Sequence, residues 1–397
     1  MVQPEIGLEV VIVGDQPPSS ITYDHKNKQK KIINNNQSSR RNHYSSSKRR
    51  SKVEQEEEEA IITKINAGYF RICISLAAQA LLWRSLIIGS SETNTHKLPW
   101  TVYLLIWCLT LCVLVSLSIL YALRCIFHFN MVKAEFHHHV GVNYLYAPWI
   151  SCLLLLRSAP SFVFQNKYSY EYVWWPLIIP VIALDVKVYG QWFTAEKRFL
   201  CMVANPTSQL SVIGNLVGAH AAIKMGWRES GICLFTLGMI HYLVVFITLY
   251  QRLSGSNNYN NLPSRLRPVL FLFVATPSMA ALAWKSINHD NFDILCKMLF
   301  FLSLFLLISL ASRPVLFKKS VKSFSVAWWA FSFPLSFLAL ASTAYAQDQQ
   351  LQAKGSLPMA LALVLSSISV LVFLFLLLCS TLKMDSLLRN PILIFSE

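Results

Sequence analysis

Ten apolar stretches, at roughly 65–89, 98–126, 142–164, 172–190, 207–226, 230–250, 265–285, 291–311, 322–346 and 357–382, take up nearly all of the sequence after residue 64. About 20 apolar residues in helical form cross the hydrocarbon core of a bilayer. In lipid every backbone polar group has to be satisfied internally, which leaves helices or closed barrels as spanning structures. Stretches of this length read as helices, so the sequence predicts an all-α membrane protein of ten transmembrane helices. Short connections make consecutive helices antiparallel neighbours, giving five hairpins that suit a closed ring. The 54% hydrophobic content and mean hydropathy of +0.44 are too high for a soluble domain of this length. Three regions follow: a cytosolic tail at 1–64, a transmembrane domain at 65–382 and a short tail at 383–397.

The net charge of +15 would point to nucleic acid in a soluble protein; here topology accounts for it, and no nucleic-acid partner is expected. An even number of spans puts both termini on one side. That side carries Arg124, Lys133, Lys187, Lys197, Arg198, Arg252, Arg265, Arg267, Arg313, Lys318, Lys319, Lys322, Lys383 and Arg389, against Lys97, Lys167, Lys224, Arg228, Lys285 and Lys354 opposite, or 14 against 6. By the positive-inside rule both termini are cytosolic. The first 60 residues are polar and show no cleavable signal peptide, so the first span is expected to act as its own insertion signal. Residues 1–64, with Asn34-Asn35-Asn36, a serine-rich stretch, Lys48-Arg49-Arg50 and an acidic run at 54–59, are too polar to bury a core and read as disordered. Ser38, Ser39 and Ser45 to Ser47 lie near basic residues and are candidate sites for a protein kinase; a merely solvated tail is the plain alternative.

Catalytic chemistry finds no foothold. Phosphate-binding glycine loops, HExxH and a nucleophile elbow are all missing. The nine cysteines are scattered without a CxxC, which fits apolar packing rather than disulfides or zinc. His137-His138-His139 has no nearby cysteine, and three adjacent side chains cannot converge on one metal from regular structure. His241 has no evident catalytic partner. Neither an enzyme activity, a cofactor nor a metal is expected.

What remains is a pathway. Pro148, Pro160, Pro206, Pro277 and Pro334 lie in or beside odd-numbered stretches, and a proline removes a backbone donor and bends a helix. Bent helices around a water-filled path, with Phe333 directly ahead of Pro334, suggest a narrow conduit with an aromatic plug; Phe333 as ordinary core is the alternative, and the residues alone leave both open. Intramembrane ionisable residues are few: Arg71 and Arg84 near the two ends of the first span, Arg157 in the third, Asp185 and Lys187 at the end of the fourth, and His241 in the sixth. Arg71, Arg84 and Arg157 are each within reach of an interface by snorkelling. Asp185 and Lys187 are expected to meet the next loop, at Glu196, Lys197 or Arg198. Without an acidic relay for protons or a carboxylate cluster for sodium, a neutral path with basic mouths favours anions.

The stretches Val188-Tyr189-Gly190-Gln191-Trp192, Ala204-Asn205-Pro206, His241-Tyr242-Leu243-Val244-Val245-Phe246, Thr248-Leu249-Tyr250-Gln251-Arg252 and Phe324 to Pro334 resemble the plant slow-type (S-type) anion channels, within the wider tellurite-resistance and dicarboxylate transporter family. The resemblance covers about residues 66–382 and is closest to the short-tailed homologues. It implies a plasma-membrane trimer with a pore in each protomer, odd-numbered helices inside and even-numbered ones outside. It places the pore-occluding phenylalanine at Phe333. A second pore phenylalanine of the family falls at Leu154, and Arg71 stands where a glycine is expected. The implied function is passive conduction of small inorganic anions, chloride and nitrate. The alternatives are an electrically silent regulatory subunit in mixed trimers with a related channel and, third, an organic-acid carrier. Pro334, Leu154, Arg71, Pro148 and Pro277 are the pore-lining or kink candidates beside Phe333.

Overall fold

Each expected stretch falls on a helix in the computed structural model, which describes residues 62–92, 99–163, 167–194, 205–254, 264–318, 324–351 and 356–383. These lie in one unit, Ala60–Glu397. The tail with its serines and Lys48-Arg49-Arg50, the loop with Lys197 and Arg198, and residues 384–397 lie outside the described residues. The helices are α1 (Arg71–Glu92), α2 (Trp100–Phe127), α3 (Phe129–His137), α4 (Gly141–Tyr144), α5 (Tyr146–Arg157), α6 (Lys167–Thr194), α7 (Gln209–Lys224), α8 (Arg228–Ser254), α9 (Leu272–Ile287), α10 (Ile294–Ala311), α11 (Ser332–Leu351) and α12 (Ser356–Leu382). Strands are absent among the described residues.

By length and apolarity, eight of the described helices qualify to cross a membrane, and α3 with α4–α5, bent by 104°, makes a ninth candidate. The third stretch stops being helical at Arg157 instead of reaching 164, because Pro160 disfavours helical geometry in the residue before it. The fifth is a 16-residue helix, α7, about 24 Å long at 1.5 Å per residue. It is completed at its start by a 3-10 turn, Pro206–Ser208.

Five of these segments form a closed ring. α1 packs on α5, α5 on α7, α7 on α9, α9 on α11, and α11 returns to α1. Each has its hairpin partner outside: α2 on α1, α6 on α5, α8 on α7, α10 on α9 and α12 on α11. Burial follows the same alternation. The windows containing α9 and α11 are 83% and 89% buried, against 22% for α2 and α10 and 33% for α12. Three of the outer helices are the most hydropathic, at 2.9 for α12 and 2.5 for α2 and α10, against 1.4 for α9 and α11, whereas outer helix α6, 33% buried, also stands at 1.4. Lipid is as apolar as leucine, so the outer helices keep their apolar faces turned outward and the inner ones bury small and polar groups against each other. Gly218 shows how close the packing is: a Cβ there would stand 2.4 Å from Ile178 Cδ1 on α6.

Every inner helix begins after a short turn. A 3-10 turn precedes α1 (Ala67–Phe70), α7 (Pro206–Ser208), α9 (Ser264–Phe271) and α11 (Val326–Ala330), and α4 precedes α5. Prolines mark the joints. Pro148 removes the donor for the Tyr144 carbonyl, and the helix breaks at Leu145; Pro334 does the same for Ala330, and the break falls at Phe331. Pro277 alone of the five sits deep inside an inner helix. Pro176 and Pro180 lie inside outer helix α6, which the sequence reading passed over.

Two buried polar clusters lock the start of the ring. Glu135 on α3 is fully buried; its Oε1 accepts the Ala67 N–H at 3.0 Å and its Oε2 lies 3.7 Å from Arg124 Nη1 at the end of α2. Arg124 also donates to the Ile65 carbonyl. Gly141 permits this turn, since a Cβ there would be 2.5 Å from the Glu135 carbonyl oxygen. Asp185 on α6 accepts from Tyr146 (2.8 Å), Ser211 (2.9 Å) and Asn215 (2.8 Å) and so ties α5, α6 and α7 together. Lys187 donates to the Phe136 carbonyl and lies over the Phe136 ring. The loop residues expected to meet both, Glu196, Lys197 and Arg198, lie outside the described residues; in lipid a buried carboxylate is retained only where donors surround it, and Tyr146, Ser211 and Asn215 supply them.

Candidate functional site

The five inner helices end together around a cavity of about 280 Å³. Its lining includes Arg84 and Ser85 of α1, Arg157 of α5, His220 and Lys224 of α7, Lys285 of α9, and Ala344 and Gln347 of α11, with Asp290 from the α9–α10 turn. Four basic side chains face one acid. Asp290 is taken up by Lys224, whose Nζ is 2.7 and 2.5 Å from its two carboxylate oxygens. Asp290 (φ 61) and the preceding His289 (φ 55) both adopt the left-handed conformation, unusual for residues with a Cβ, and this is the turn that carries the carboxylate. Arg84 Nη1 donates to the carbonyls of Arg157 (2.9 Å) and Ala159 (3.0 Å). These bonds hold the guanidinium at the wall. The surplus positive charge belongs to Arg84, Arg157 and Lys285. The sequence reading counted Lys224 and Lys285 only as loop charges; their position at the C-terminal ends of two odd-numbered stretches was the signal for a shared vestibule.

Deeper in the ring the side chains are closely packed. Phe333, in the first turn of α11, is 0% exposed, and its ring meets that of Phe337 edge-on at 6.1 Å. Leu154 on α5 is also 0% exposed and belongs to the same continuous apolar core. Around this level lie buried hydroxyls and one amide: Ser336 donates to Gln79 Oε1 at 2.9 Å and Ser369 reaches the same oxygen at 3.3 Å. Pro334 and Pro277 are buried, while Pro148 is only half-buried.

At the end where the inner helices begin, Arg71 is fully buried in the first turn of α1. Its Nε donates to the Gly68 carbonyl at 2.9 Å, and its guanidinium carbon stands 4.8 Å from the centre of the Tyr144 ring.

The histidines take structural places. His137 bonds the Lys133 carbonyl at 2.8 Å, and His138 Nδ1 accepts the N–H groups of Val140 (3.2 Å) and Gly141 (3.3 Å). His241 packs edge-on to Tyr189 at 5.2 Å. Among the described residues no group of histidine, cysteine and carboxylate side chains is arranged to hold a metal.

Compared with known proteins, residues 64–381 match the family described as SLAC1, voltage-dependent anion channel. The chain is 58% identical over 290 residues to the S-type anion channel SLAH1 of Arabidopsis thaliana, covering 72% of this chain and 74% of that one. It is 43% identical over 287 residues to the guard cell S-type anion channel SLAC1 of the same plant, covering 72% and 50%. A tellurite resistance protein TehA homolog of Haemophilus influenzae is 26% identical over 294 residues, covering 71% and 81%.

Proposed function

From the membership of this chain in the SLAC1 family of voltage-dependent anion channels, we propose that it is a passive slow-type channel for chloride and nitrate, running along the axis of the five inner helices and closed at rest by the Phe333 ring. The vestibule carries the argument: all five inner helices contribute to it, and it presents four bases and one already neutralised acid. Positive charge there concentrates anions and repels cations. Beyond it the described lining offers hydroxyls and apolar surface, a weak environment in which an anion that sheds water readily competes well, so nitrate passes alongside chloride. Opening moves the Phe333 ring out of the axis. The channel sits in the plasma membrane with both termini cytosolic, as a trimer of this chain or mixed with related channels, and a protein kinase acts on the N-terminal tail.

A second reading, the electrically silent partner of a related channel, draws on two residues. Leu154 stands where the family has a second pore phenylalanine, and Arg71 puts a buried cation where the inner helices begin. Voltage clamp of cells expressing this chain alone, in chloride and then in nitrate with surface expression verified, separates the two. Anion current establishes the channel. Silence in both anions, with altered current when a longer relative is co-expressed, establishes the partner instead.

A further inference from the structure

At the end where the inner helices begin, three phenylalanine rings wall a groove that opens to the surface. Phe271 is the last residue of the 3-10 turn ahead of α9, Phe317 follows the short turn Pro314–Leu316 after α10, and Phe331 caps the turn ahead of α11. The rings meet edge-on, at 5.4 Å between Phe271 and Phe317, 4.8 Å between Phe271 and Phe331 and 5.7 Å between Phe317 and Phe331. Arg267 pins the arrangement, its Nη1 donating to the Leu316 carbonyl at 3.0 Å. Phe317 is buried, whereas Phe271 and Phe331 are only half-buried. With Ala311 and Val315 they line a cavity of about 490 Å³, within the range of about 300–1,000 Å³ typical of small-molecule sites. Lys318 is the one charged residue of that lining among the described residues, and Arg313, also exposed, lies in the same connection.

Depth decides what can fill it. α10 has 18 residues, about 27 Å at 1.5 Å per residue, close to the hydrocarbon thickness of about 30 Å. Its last residue, Ala311, lines the groove, so the aromatic walls lie where acyl chains give way to headgroups. Apolar surface at that depth takes a lipid tail, and a cation at the rim selects a negative headgroup over a neutral one. We propose that the groove seats one acyl chain of an anionic phospholipid, with its phosphate at Lys318. That the lipid comes from the cytosolic leaflet rests on the topology proposed above; the groove and its charge do not. Phe331 stands two residues ahead of Phe333, so the lipid tail braces the turn from which the proposed plug starts.

The test uses the purified, delipidated full-length chain in detergent. Phosphatidylserine and phosphatidylcholine with the same acyl chains are titrated in, and bound lipid is counted by native mass spectrometry for the wild type, Lys318→Gln and Ala311→Trp. Both substitutions fall at exposed positions, so the fold is expected to survive them. The wild type is expected to bind one phosphatidylserine per chain saturably, and more tightly than phosphatidylcholine. Lys318→Gln should weaken phosphatidylserine about fivefold, the effect of one basic side chain near an anionic surface, and leave phosphatidylcholine unchanged. Ala311→Trp fills the groove and should abolish the saturable binding of both. Unsaturable binding indifferent to both variants overturns the site, as does equal competition by glycerophosphoserine, which carries the headgroup without the chains. An Ala311→Trp variant that keeps its lipid but changes its oligomeric state overturns it too, and gives the groove to a second copy of the chain. The leaflet is read separately, from the accessibility of the termini in intact cells, so the topology can fail while the binding stands.

Discussion

Replacing Phe333 by alanine tests the proposed plug. The ring is 0% exposed and meets Phe337 edge-on at 6.1 Å. Burying a phenylalanine side chain contributes about 1.5–3 kcal/mol, and an edge-to-face pair adds about 0.5–1.5 kcal/mol. If opening exchanges these contacts for a wet pore, the closed state of Phe333→Ala loses about 2–4 kcal/mol relative to the open one. At about 1.4 kcal/mol per tenfold, the closed-to-open ratio falls roughly 30- to 700-fold, up to the limit where every channel is open. The same deletion costs about 3–5 kcal/mol of fold stability through the cavity it leaves, so surface protein has to be quantified beside the current. Phe337→Ala is the matched control, since it removes a ring of the same size one turn along while leaving Phe333 in place. Voltage clamp at rest should show a large rise for Phe333→Ala and a smaller one for Phe337→Ala. Unchanged or reduced current from Phe333→Ala at equal surface expression, in cells where the wild type conducts, would refute the assignment; equal rises from both variants would reduce it to general loosening of the core.

Asp185→Ala should destabilise the detergent-solubilised protein by about 1–3 kcal/mol for each buried donor it leaves unanswered among Tyr146, Ser211 and Asn215; a melting temperature within a degree of wild type would contradict the account. Gly141→Ala forces a methyl to within 2.5 Å of a backbone oxygen and should cost about 1–3 kcal/mol, whereas Gly190→Ala, with nothing within 4 Å, should be neutral or slightly stabilising. Asp293 caps α10 through the Cys296 N–H at 3.0 Å and also accepts from Trp284 at 2.9 Å. Burial pulls its pKa upward, but these hydrogen bonds outweigh that and hold it below 3.8. Its stabilisation is therefore present above pH 3.8 and lost as pH falls through the lowered value. Asp293→Ala should cost about 1 kcal/mol at pH 7, and thermal melts of the two proteins should converge as the medium is acidified below pH 3.8.

The hairpin order was legible because each stretch is long and the connections are short, and those two facts limit neighbours to a few arrangements. A further signal went unused: the stretches at α2, α10 and α12 are more hydropathic than those at α9 and α11, although α6, an outer helix at 1.4, does not follow it. The prolines marked real joints, but their role as starts of the inner helices depended on the turns ahead of them, and a 3-10 turn leaves no periodicity long enough to read. Arg124 was counted only as a charge beside a loop, and its partner Glu135 is 11 residues away in sequence; only the turn between α2 and α3 brings them together. The bundle partners of Asp185 were hidden for a similar reason. Its partners come from helices on either side of it in sequence, and a span considered by itself shows only an isolated carboxylate.

The polar content of the inner helices bears on how the protein is made. A segment such as α7, 16 residues long with Gln209, Ser211, Asn215 and His220 all buried in the finished ring, has little reason to leave the translocation machinery for lipid unaided, since each polar side chain at the centre of a membrane raises the cost of insertion. Its successor α8 has a hydropathy of 2.3 and packs against it directly. The polar groups of α7 find their partners on α6 and α9, through Asp185 and Thr276, so the expectation is that α7 settles only when α8 and these neighbours are in place. A substitution that weakens only the lipid-facing surface of α8 would then appear as an assembly defect of the whole ring, although it touches none of the polar partners of α7.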